Sequence, residues 1–253
     1  MREELPGQMQ RHLNGFTTTG ENWRTSSKAE VYQYRRADGA AVFLKVEADE
    51  RAAGLAAECR HLEWLQGKLP VPKVLGYCCE GGREYLLTEA LPGVAAHKGE
   101  NRRQPGRTAQ AVAEALKRIH AVPIADCPFD RRYPQLLDRA RRFVERGWAD
   151  GEEGNPETRL AAAAERAPAA EDLVFTHGDY CLPNVLLQEG GCSGLVDWGY
   201  AGVGDRYIDL AACASSVRRN LGEAWVPVFC AHYGLREPDQ RKIDLYLGVR
   251  LSD

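Results

Sequence analysis

Residues 176–184 read Thr176-His177-Gly178-Asp179-Tyr180-Cys181-Leu182-Pro183-Asn184, and Asp197-Trp198-Gly199 begins thirteen residues after Asn184. Three short apolar runs surround these polar segments, at residues 173–175, 185–187 and 194–196. Short apolar runs bounded by polar residues are typical of buried strands. The sequence therefore predicts strands joined by loops, with Asp179, Asn184 and Asp197 at strand–loop junctions and able to converge on one point.

Two carboxylates and an amide in this arrangement suit phosphoryl transfer from a nucleotide. That reaction needs a carboxylate that orients an attacking hydroxyl and accepts its proton, and oxygen ligands for magnesium, which takes few protein ligands. Asp179 fits the first role, whereas Asn184 and Asp197 fit the second. Protein kinases carry the same spacing as H-R-D-x-x-x-x-N followed by D-F-G. The alternative interpretation is that these are turn residues in two connecting loops.

The sequence resembles the aminoglycoside phosphotransferases, particularly their 3'-phosphotransferase branch. It has H-G-D-x-x-x-x-N at residues 177–184, D-x-G at residues 197–199, and a segment at residues 203–211 similar to the one that follows D-x-G in that family. The resemblance implies a two-lobed, protein-kinase-like α+β fold. Residues 1–90 would form a β-rich, nucleotide-binding N-lobe. Residues 91–253 would form a mainly helical C-lobe with the catalytic loop, the metal site and the acceptor site.

Composition limits the class of protein. The chain has 253 residues and a formal net charge of −3, so it can bury a sizeable core and shows no basic excess suited to nucleic acid. No apolar run approaches the roughly 18 residues of a membrane span, and the N-terminus lacks the apolar core of a signal peptide. We expect a cytoplasmic protein, a monomer or weak dimer, without nucleic-acid or membrane partners.

The eight cysteines agree with a reducing compartment. None forms a C-x-x-C pair of the kind that zinc sites use. They are predicted to be buried thiols that act as small apolar side chains. Cys181 lies inside the catalytic loop, but the sequence suggests no base beside it, so a nucleophilic role is not expected.

The N-terminal part has a lysine–glutamate pair. The first 45 residues are predicted to form β hairpins, and residues 41–46 a strand in which Lys45 interrupts an apolar run. A lysine in that position needs a partner. Glu58 lies at the edge of the apolar face of the next predicted helix. The pair looks like the kinase pair in which a strand lysine grips the phosphates and a helix glutamate holds the lysine. The alternative is a surface lysine and a solvated glutamate.

Two further nucleotide contacts follow from the resemblance alone. The family places a serine-containing loop over the nucleotide, which would be the loop of Ser26 and Ser27 here. A plain hairpin turn would look the same in the sequence. The resemblance also places the connector between lobes at residues 89–93, so that backbone groups near Thr88 and Ala90 would bind the purine.

From about residue 94 the sequence is predicted to be helical. Thr108 is predicted to cap a helix over residues 109–120, and His120 is interpreted as a helix-terminal residue and not as a ligand. Further helices are predicted over residues 133–148, 208–217 and 225–233. Asp209 is expected to brace the catalytic loop through backbone hydrogen bonds, which is a structural task.

An acidic segment is the candidate acceptor site. In the family an acidic loop in this place contacts the aminoglycoside, so the resemblance assigns substrate binding to Asp150, Glu152 and Glu153, and a late carboxylate, Asp253, joins them. The alternative is an exposed acidic loop before a helix, where carboxylates are favourable.

Three positions depart from the family pattern. Tyr200 stands where many members have arginine, Arg219 where several offer an acid, and Arg250 lies near a chain end that is acidic in the family. Lost acids and added arginines should weaken the hold on a polycation, by about 1 to 3 kcal/mol for each desolvated charge contact. The hydroxyl that is modified is therefore left open.

The residues and the resemblance together predict a magnesium-dependent phosphotransferase. It would move the γ-phosphoryl of ATP or GTP to a hydroxyl of a cationic aminoglycoside and so confer antibiotic resistance. One alternative is a kinase for another small alcohol, such as a macrolide or a metabolite. A second is a non-catalytic nucleotide-binding module. A protein kinase is disfavoured, because no long activation segment with A-P-E follows Asp197.

Overall fold

The structure, a computed structural model, describes residues 5–24, 29–48, 54–147 and 155–249. The chain divides into two compact units, Met1–Leu91 and Pro92–Asp253. The first unit contains α1 (Gly7–His12), β1 (Thr17–Arg24), β2 (Glu30–Arg35), β3 (Ala41–Ala48), α2 (Leu55–Leu65), β4 (Val74–Glu80) and β5 (Arg83–Glu89). Its strands form one antiparallel sheet in the order β1-β2-β3-β5-β4.

The side chains of β3 alternate between the two faces of the sheet, and this determines which of them enter the core of the first unit. Val42, Leu44 and Val46 are buried and join the core cluster that contains Met9 of α1. Lys45 extends from the opposite face, because successive side chains of a strand alternate between its two faces. The prediction that the first 45 residues form only hairpins is wrong for α1, since six residues are too few for a periodic helical signal to stand out.

The second unit is mainly helical with short strand pairs. Its strands are β6 (Val94–Ala95), β7 (Leu173–Thr176), β8 (Val185–Gln188), β9 (Gly191–Leu195) and β10 (Gly202–Asp205). β7 pairs with β10, and β8 lies between β6 and β9. Its helices are α3 (Gly99–Arg103), α4 (Pro105–His120), α5 (Tyr133–Glu145), α6 (Pro156–Glu165), α7 (Tyr207–Asn220), α8 (Val226–Tyr233) and α9 (Gln240–Val249).

Helix α4 begins earlier than predicted. It starts at Pro105, and Thr108 lies inside it with its hydroxyl donating to the carbonyl of Asn101 at 2.6 Å. Proline suits the first helical position because its missing N–H has no partner there in any helix. α5 ends at Glu145, three residues before the predicted end.

The longer helices of the second unit pack against one another in pairs. α4 packs against α8 and α7 against α9.

The α+β fold class predicted from the sequence is confirmed by the antiparallel sheet of the first unit and the helices of the second. In the described ranges, no helix is both long and apolar enough to cross a membrane.

Candidate active site

The predicted catalytic loop joins β7 to β8. It ends in a 3₁₀ turn, Leu182–Asn184, closed by the hydrogen bond from the Asn184 N–H to the Cys181 carbonyl at 3.0 Å. That turn aims the Asn184 side chain back at Asp179. The amide nitrogen Nδ2 donates to the Asp179 carbonyl at 2.9 Å and to its carboxylate oxygen Oδ2 at 3.0 Å. Two of the three residues predicted to converge are therefore in direct contact.

Asp209 fixes the start of this loop. Its carboxylate is fully buried at the beginning of α7. One oxygen accepts from the His177 N–H at 2.7 Å and the other from the Gly178 N–H at 2.8 Å. Hydrogen bonds to a carboxylate are stronger than those between neutral groups. The prediction that Asp209 braces the catalytic loop is confirmed.

Asp197 is held beside the loop through its neighbours. The Val196 N–H donates to the Asn184 carbonyl at 3.0 Å, and the Val196 carbonyl lies 3.0 Å from His177 Nε2. Asp197 itself has a φ of +68°, a conformation that few non-glycine residues adopt and that clusters at functional sites. The fully buried Trp198 ring packs on the His177 imidazole, with centroids 4.3 Å apart.

Gly178 lets the two motifs approach each other. Its φ is +84°, and a Cβ there would collide with the Tyr200 carbonyl oxygen. The backbone after Asp197 therefore lies directly against the backbone before Asp179. This close approach explains in physical terms why glycine, and no larger residue, precedes Asp179.

The donor set of the second unit fits magnesium. The hydrogen bonds of the Asn184 side chain use its nitrogen, so its carbonyl oxygen Oδ1 is the atom that can bind a cation. With Asp197 it offers one amide and one carboxylate oxygen, and magnesium binds few protein ligands alongside phosphate oxygens and water. Among residues whose placement is described, no cluster of three or more His, Cys, Asp or Glu is arranged to hold a metal.

In the first unit, Lys45 and Glu58 form the predicted pair. The Lys45 ammonium lies 2.7 Å and 2.9 Å from the two Glu58 oxygens. The exposed fractions of the two side chains are 20 % and 7 %. Because this ion pair is largely shielded from water, its electrostatic attraction is only weakly screened. Glu58 therefore sets the position of the Lys45 ammonium.

Glu84 positions α2, and the sequence interpretation missed it. The residue is 5 % exposed, and its carboxylate accepts from the Ala56 N–H at 3.2 Å, in the first turn of α2, and from the Tyr77 hydroxyl. A Cβ on Gly54 would collide with this carboxylate. The glycine before an uncapped helix is the one sequence signal that could have indicated such a contact. Glu84 thereby fixes the helix that presents Glu58.

The two predicted purine-binding positions lie in β5 and directly after it. Thr88 lies in β5, opposite Phe43 of β3 and Val74 of β4. The Ala90 N–H donates to the Ala41 carbonyl at 3.0 Å, so it is not available to a purine. The prediction for Ala90 therefore depends on its carbonyl oxygen.

Several predicted residues lie outside the described ranges. They are the nucleotide-loop residues and the substrate-binding acids: Ser26, Ser27, Asp150, Glu152, Glu153 and Asp253. Arg250 lies outside those ranges too. Their assignments stay predictions.

Tyr200 meets arginines that the sequence interpretation had not connected with it. The Arg139 guanidinium of α5 lies 3.6 Å from the Tyr200 ring centroid, and that of Arg131 lies 5.7 Å away. Planar guanidinium groups stack favourably on aromatic rings. Arg219 is exposed in the last turn of α7, where a positive charge complements the helix dipole.

Comparison with known proteins agrees with this geometry. Residues 24–246 match the model of the phosphotransferase enzyme family. An aminoglycoside 3'-phosphotransferase from Niallia circulans is 33 % identical, and the match covers 97 % of this chain and 94 % of that protein.

Solved structures extend the match to the fold. An aminoglycoside-3'-phosphotransferase of type VIII superposes with a TM-score of 0.84 at 30 % identity, covering 97 % of this chain and 99 % of the other. An aminoglycoside phosphotransferase from Streptomyces rimosus, in complex with ADP and streptomycin, gives 0.76 at 27 % identity and covers 94 % and 92 %. The predicted kinase-like fold is thus confirmed. With this identity over nearly its whole length, the chain belongs to the aminoglycoside phosphotransferases of the phosphotransferase enzyme family.

Proposed function

We propose that the protein transfers the γ-phosphoryl group of ATP or GTP to a hydroxyl of an aminoglycoside and so confers resistance to it. The observation that carries the proposal is the hydrogen bond from Asn184 to the Asp179 carboxylate at 3.0 Å, in a loop braced by the buried Asp209. A carboxylate held in one orientation can receive a proton from a hydroxyl placed beside it.

Asp179 is the proposed base. The acceptor hydroxyl oxygen forms a bond to the γ-phosphorus while the bond from that phosphorus to the bridging oxygen of the diphosphate breaks. The electron pair of the broken bond leaves with ADP or GDP, and the hydroxyl proton passes to an Asp179 oxygen. Orientation and charge stabilisation supply most of the acceleration in such reactions.

The chain's remaining groups hold the reactants. Asn184 Oδ1 and Asp197 would hold magnesium, which neutralises phosphate charge when bound. Lys45, oriented by Glu58 at 2.7 Å and 2.9 Å, would bind phosphate oxygens. The backbone near Thr88 and the Ala90 carbonyl would meet the purine, and Ser26 and Ser27 the phosphates.

The acceptor is proposed to be a polyamine sugar held by Asp150, Glu152, Glu153 and Asp253. The Streptomyces rimosus relative was solved with streptomycin, whereas the Niallia circulans relative is named for the 3' position. A streptomycin-type acceptor is therefore the second candidate. We place the activity in the cytoplasm, in agreement with eight cysteines that remain thiols, and in a monomer or weak dimer.

A panel of acceptors tests the proposal. Purified protein is incubated with ATP or GTP, magnesium and one acceptor at a time: kanamycin-type and streptomycin-type aminoglycosides, a macrolide and simple metabolite alcohols. Nucleotide consumption and the mass of the acceptor are both measured. An aminoglycoside that gains one phosphoryl group supports the proposal. Phosphorylation of the macrolide or the metabolite alone would identify a different small-molecule kinase. Nucleotide binding without any consumption would identify a non-catalytic module.

A further inference from the structure

A line of buried polar side chains leads away from Asp209, behind the catalytic loop. His120, at the end of α4, has its Nε2 atom 3.2 Å from Asp209 Oδ2. Its Nδ1 atom lies 2.7 Å from the hydroxyl of Tyr233, at the end of α8. The Tyr233 hydroxyl in turn accepts from Arg206 Nη1 at 3.1 Å. Three helices and one connecting residue thus meet behind the loop.

The donor and acceptor roles along this line follow from the groups at its two ends, Arg206 and Asp209. Arg206 can only donate, so the Tyr233 oxygen accepts from it. Both Asp209 oxygens already accept backbone N–H groups, so Oδ2 also acts as the acceptor toward His120. With a neutral imidazole, His120 carries its proton on Nε2, and Nδ1 accepts from the Tyr233 hydroxyl. Each of the three contacts then joins one donor to one acceptor, from Arg206 to Asp209.

These hydrogen bonds are largely removed from water, so losing one of them is costly. The side chains of His120 and Asp209 are 4 % and 0 % exposed, and Tyr233 is 7 % exposed. Polar groups removed from water this far lose much when a partner is taken away. The outer end is different: Arg206 is 30 % exposed and pairs with Asp172, which is 55 % exposed. The line therefore runs from the protein surface to the two backbone amides that precede Asp179.

We propose that His120, Tyr233 and Arg206 are positioning residues that hold the catalytic loop through Asp209. Without a further contact, the Asp209 side chain could rotate about its bonds. The hydrogen bond from the Nε2–H of His120 fixes the plane of the carboxylate, which accepts from the His177 and Gly178 N–H groups. Tyr233 holds the imidazole from its other side, and its ring also packs edge-on against it, with centroids 5.6 Å apart. The interpretation of His120 as a plain helix-terminal residue is therefore incomplete.

The effect on turnover depends on the proposed phosphotransferase activity. A looser Asp209 lets Asp179 leave the orientation in which it receives a proton, while the Lys45–Glu58 pair belongs to the first unit and is not part of this line. We therefore expect losses in kcat with little change in the KM for ATP. The exchange of the loop's amide protons, measured without any substrate, reports on the same contacts independently of activity.

Three variants test the inference, and a fourth serves as their control. His120→Leu removes both ring contacts and is expected to lower kcat by about 10- to 100-fold, the cost typical of a lost supporting partner. Tyr233→Phe keeps the ring and loses only the hydroxyl, with an expected loss of about 3- to 10-fold. His120→Gln places an amide N–H near the position of Nε2 and is expected to recover most of the loss seen with leucine.

Tyr133→Phe is the matched control. Its hydroxyl donates to the Ala163 carbonyl at 2.6 Å, also in a buried position of the second unit. It is expected to lose similar stability in urea while keeping kcat. Hydrogen exchange of the peptide covering residues 176–184 is expected to speed up in His120→Leu and Tyr233→Phe and to stay unchanged in Tyr133→Phe.

Two outcomes would overturn the inference. One is a Tyr233→Phe variant whose kcat and loop exchange equal those of Tyr133→Phe. The other is a His120→Gln variant as impaired as His120→Leu. If His120→Leu does not fold, Tyr233→Phe and His120→Gln still decide the question. A wild-type protein that phosphorylates no acceptor would refute the proposed function, and loop exchange would then decide the positioning role alone.

Discussion

The Asn184 side-chain amide binds both the carbonyl and the carboxylate of Asp179, at 2.9 Å and 3.0 Å. One residue thus orients the proposed base with its nitrogen and keeps its oxygen for a cation. The two halves of the chemistry, proton acceptance and metal binding, are coupled through a single planar group.

Replacing Asn184 with leucine should therefore affect both halves. We expect kcat to fall by about 10- to 100-fold, and the magnesium concentration needed for half-maximal rate to rise. Steady-state assays over a magnesium titration measure both quantities. Asn101→Leu is the control, because its amide nitrogen likewise donates two hydrogen bonds, to the carbonyls of Val94 and Ala95. Equal magnesium dependence in the two variants would contradict the ligand role of Asn184.

Glu58→Gln should weaken the hold on nucleotide. The amide keeps the shape of the carboxylate but loses its charge, so the Lys45 ammonium is less firmly placed. We expect kcat/KM for ATP to fall about 10-fold, the scale of one charge-assisted hydrogen bond. The exposed Arg36–Asp38 pair of the same unit supplies the control, Asp38→Asn, which should leave kcat/KM unchanged. The role of Glu58 is wrong if the two variants behave alike.

Gly178→Ala should disable the enzyme without unfolding it. The new methyl group must displace the Tyr200 backbone, and with it the segment that carries Asp197. A displacement of about 1 Å in such a site lowers the rate by about 100-fold. Gly147→Ala separates the collision from backbone strain, since Gly147 has a φ of +65° and no atom within 4 Å of a Cβ. It should cost about 1 to 2 kcal/mol of unfolding free energy and leave kcat unchanged. Comparable kcat in the two alanine variants would argue against the collision.

The cysteines should differ widely in reactivity. Cys59, Cys213 and Cys230 are buried, Cys79 is exposed and the other four are intermediate, so the prediction of eight buried thiols is wrong for Cys79. Burial raises the pKa of the Cys59 thiol to about 11 and that of Cys213 well above its usual range. A raised pKa keeps a thiol protonated, and only the thiolate reacts.

At pH 8, a disulfide reagent should therefore modify Cys79 first in the native protein. Cys79→Ser should remove this fast phase, and guanidinium should expose all eight thiols. Fast modification of Cys59 or Cys213 in the native state, detected by peptide mass, would contradict the packing around them.

Local sequence patterns were enough to predict the main contacts of both units. Asp179 and Asn184 are close in the chain, and the apolar runs around them fix the strand ends. Lys45 stands out as a charged residue in an apolar strand, and the motif residues Asp179, Asn184 and Asp197 favour its pairing with Glu58 over a solvated lysine. These signals come from short stretches whose structure depends little on the remaining chain.

Contacts between distant segments could not be predicted in this way. Glu84 meets the start of α2 across 28 residues, and His120 meets Tyr233 across 113. Arg139 reaches Tyr200 only because α5 is packed beside the loop after Asp197. Each of these pairings depends on how helices and strands pack, which no local periodicity encodes. The end of α5 and the start of α4 were predicted wrongly because helix ends are set by single capping residues.

The most direct test of the central claim is the rate of phosphoryl transfer by Asp179→Asn. The substitution keeps the size of the side chain and an oxygen that can accept from Asn184, but the amide cannot serve as a base. With ATP and the best aminoglycoside of the panel both saturating, kcat should fall by about 10²- to 10⁴-fold while the thermal unfolding midpoint stays near that of the wild type. A folded Asp179→Asn protein that keeps most of its turnover would contradict the account.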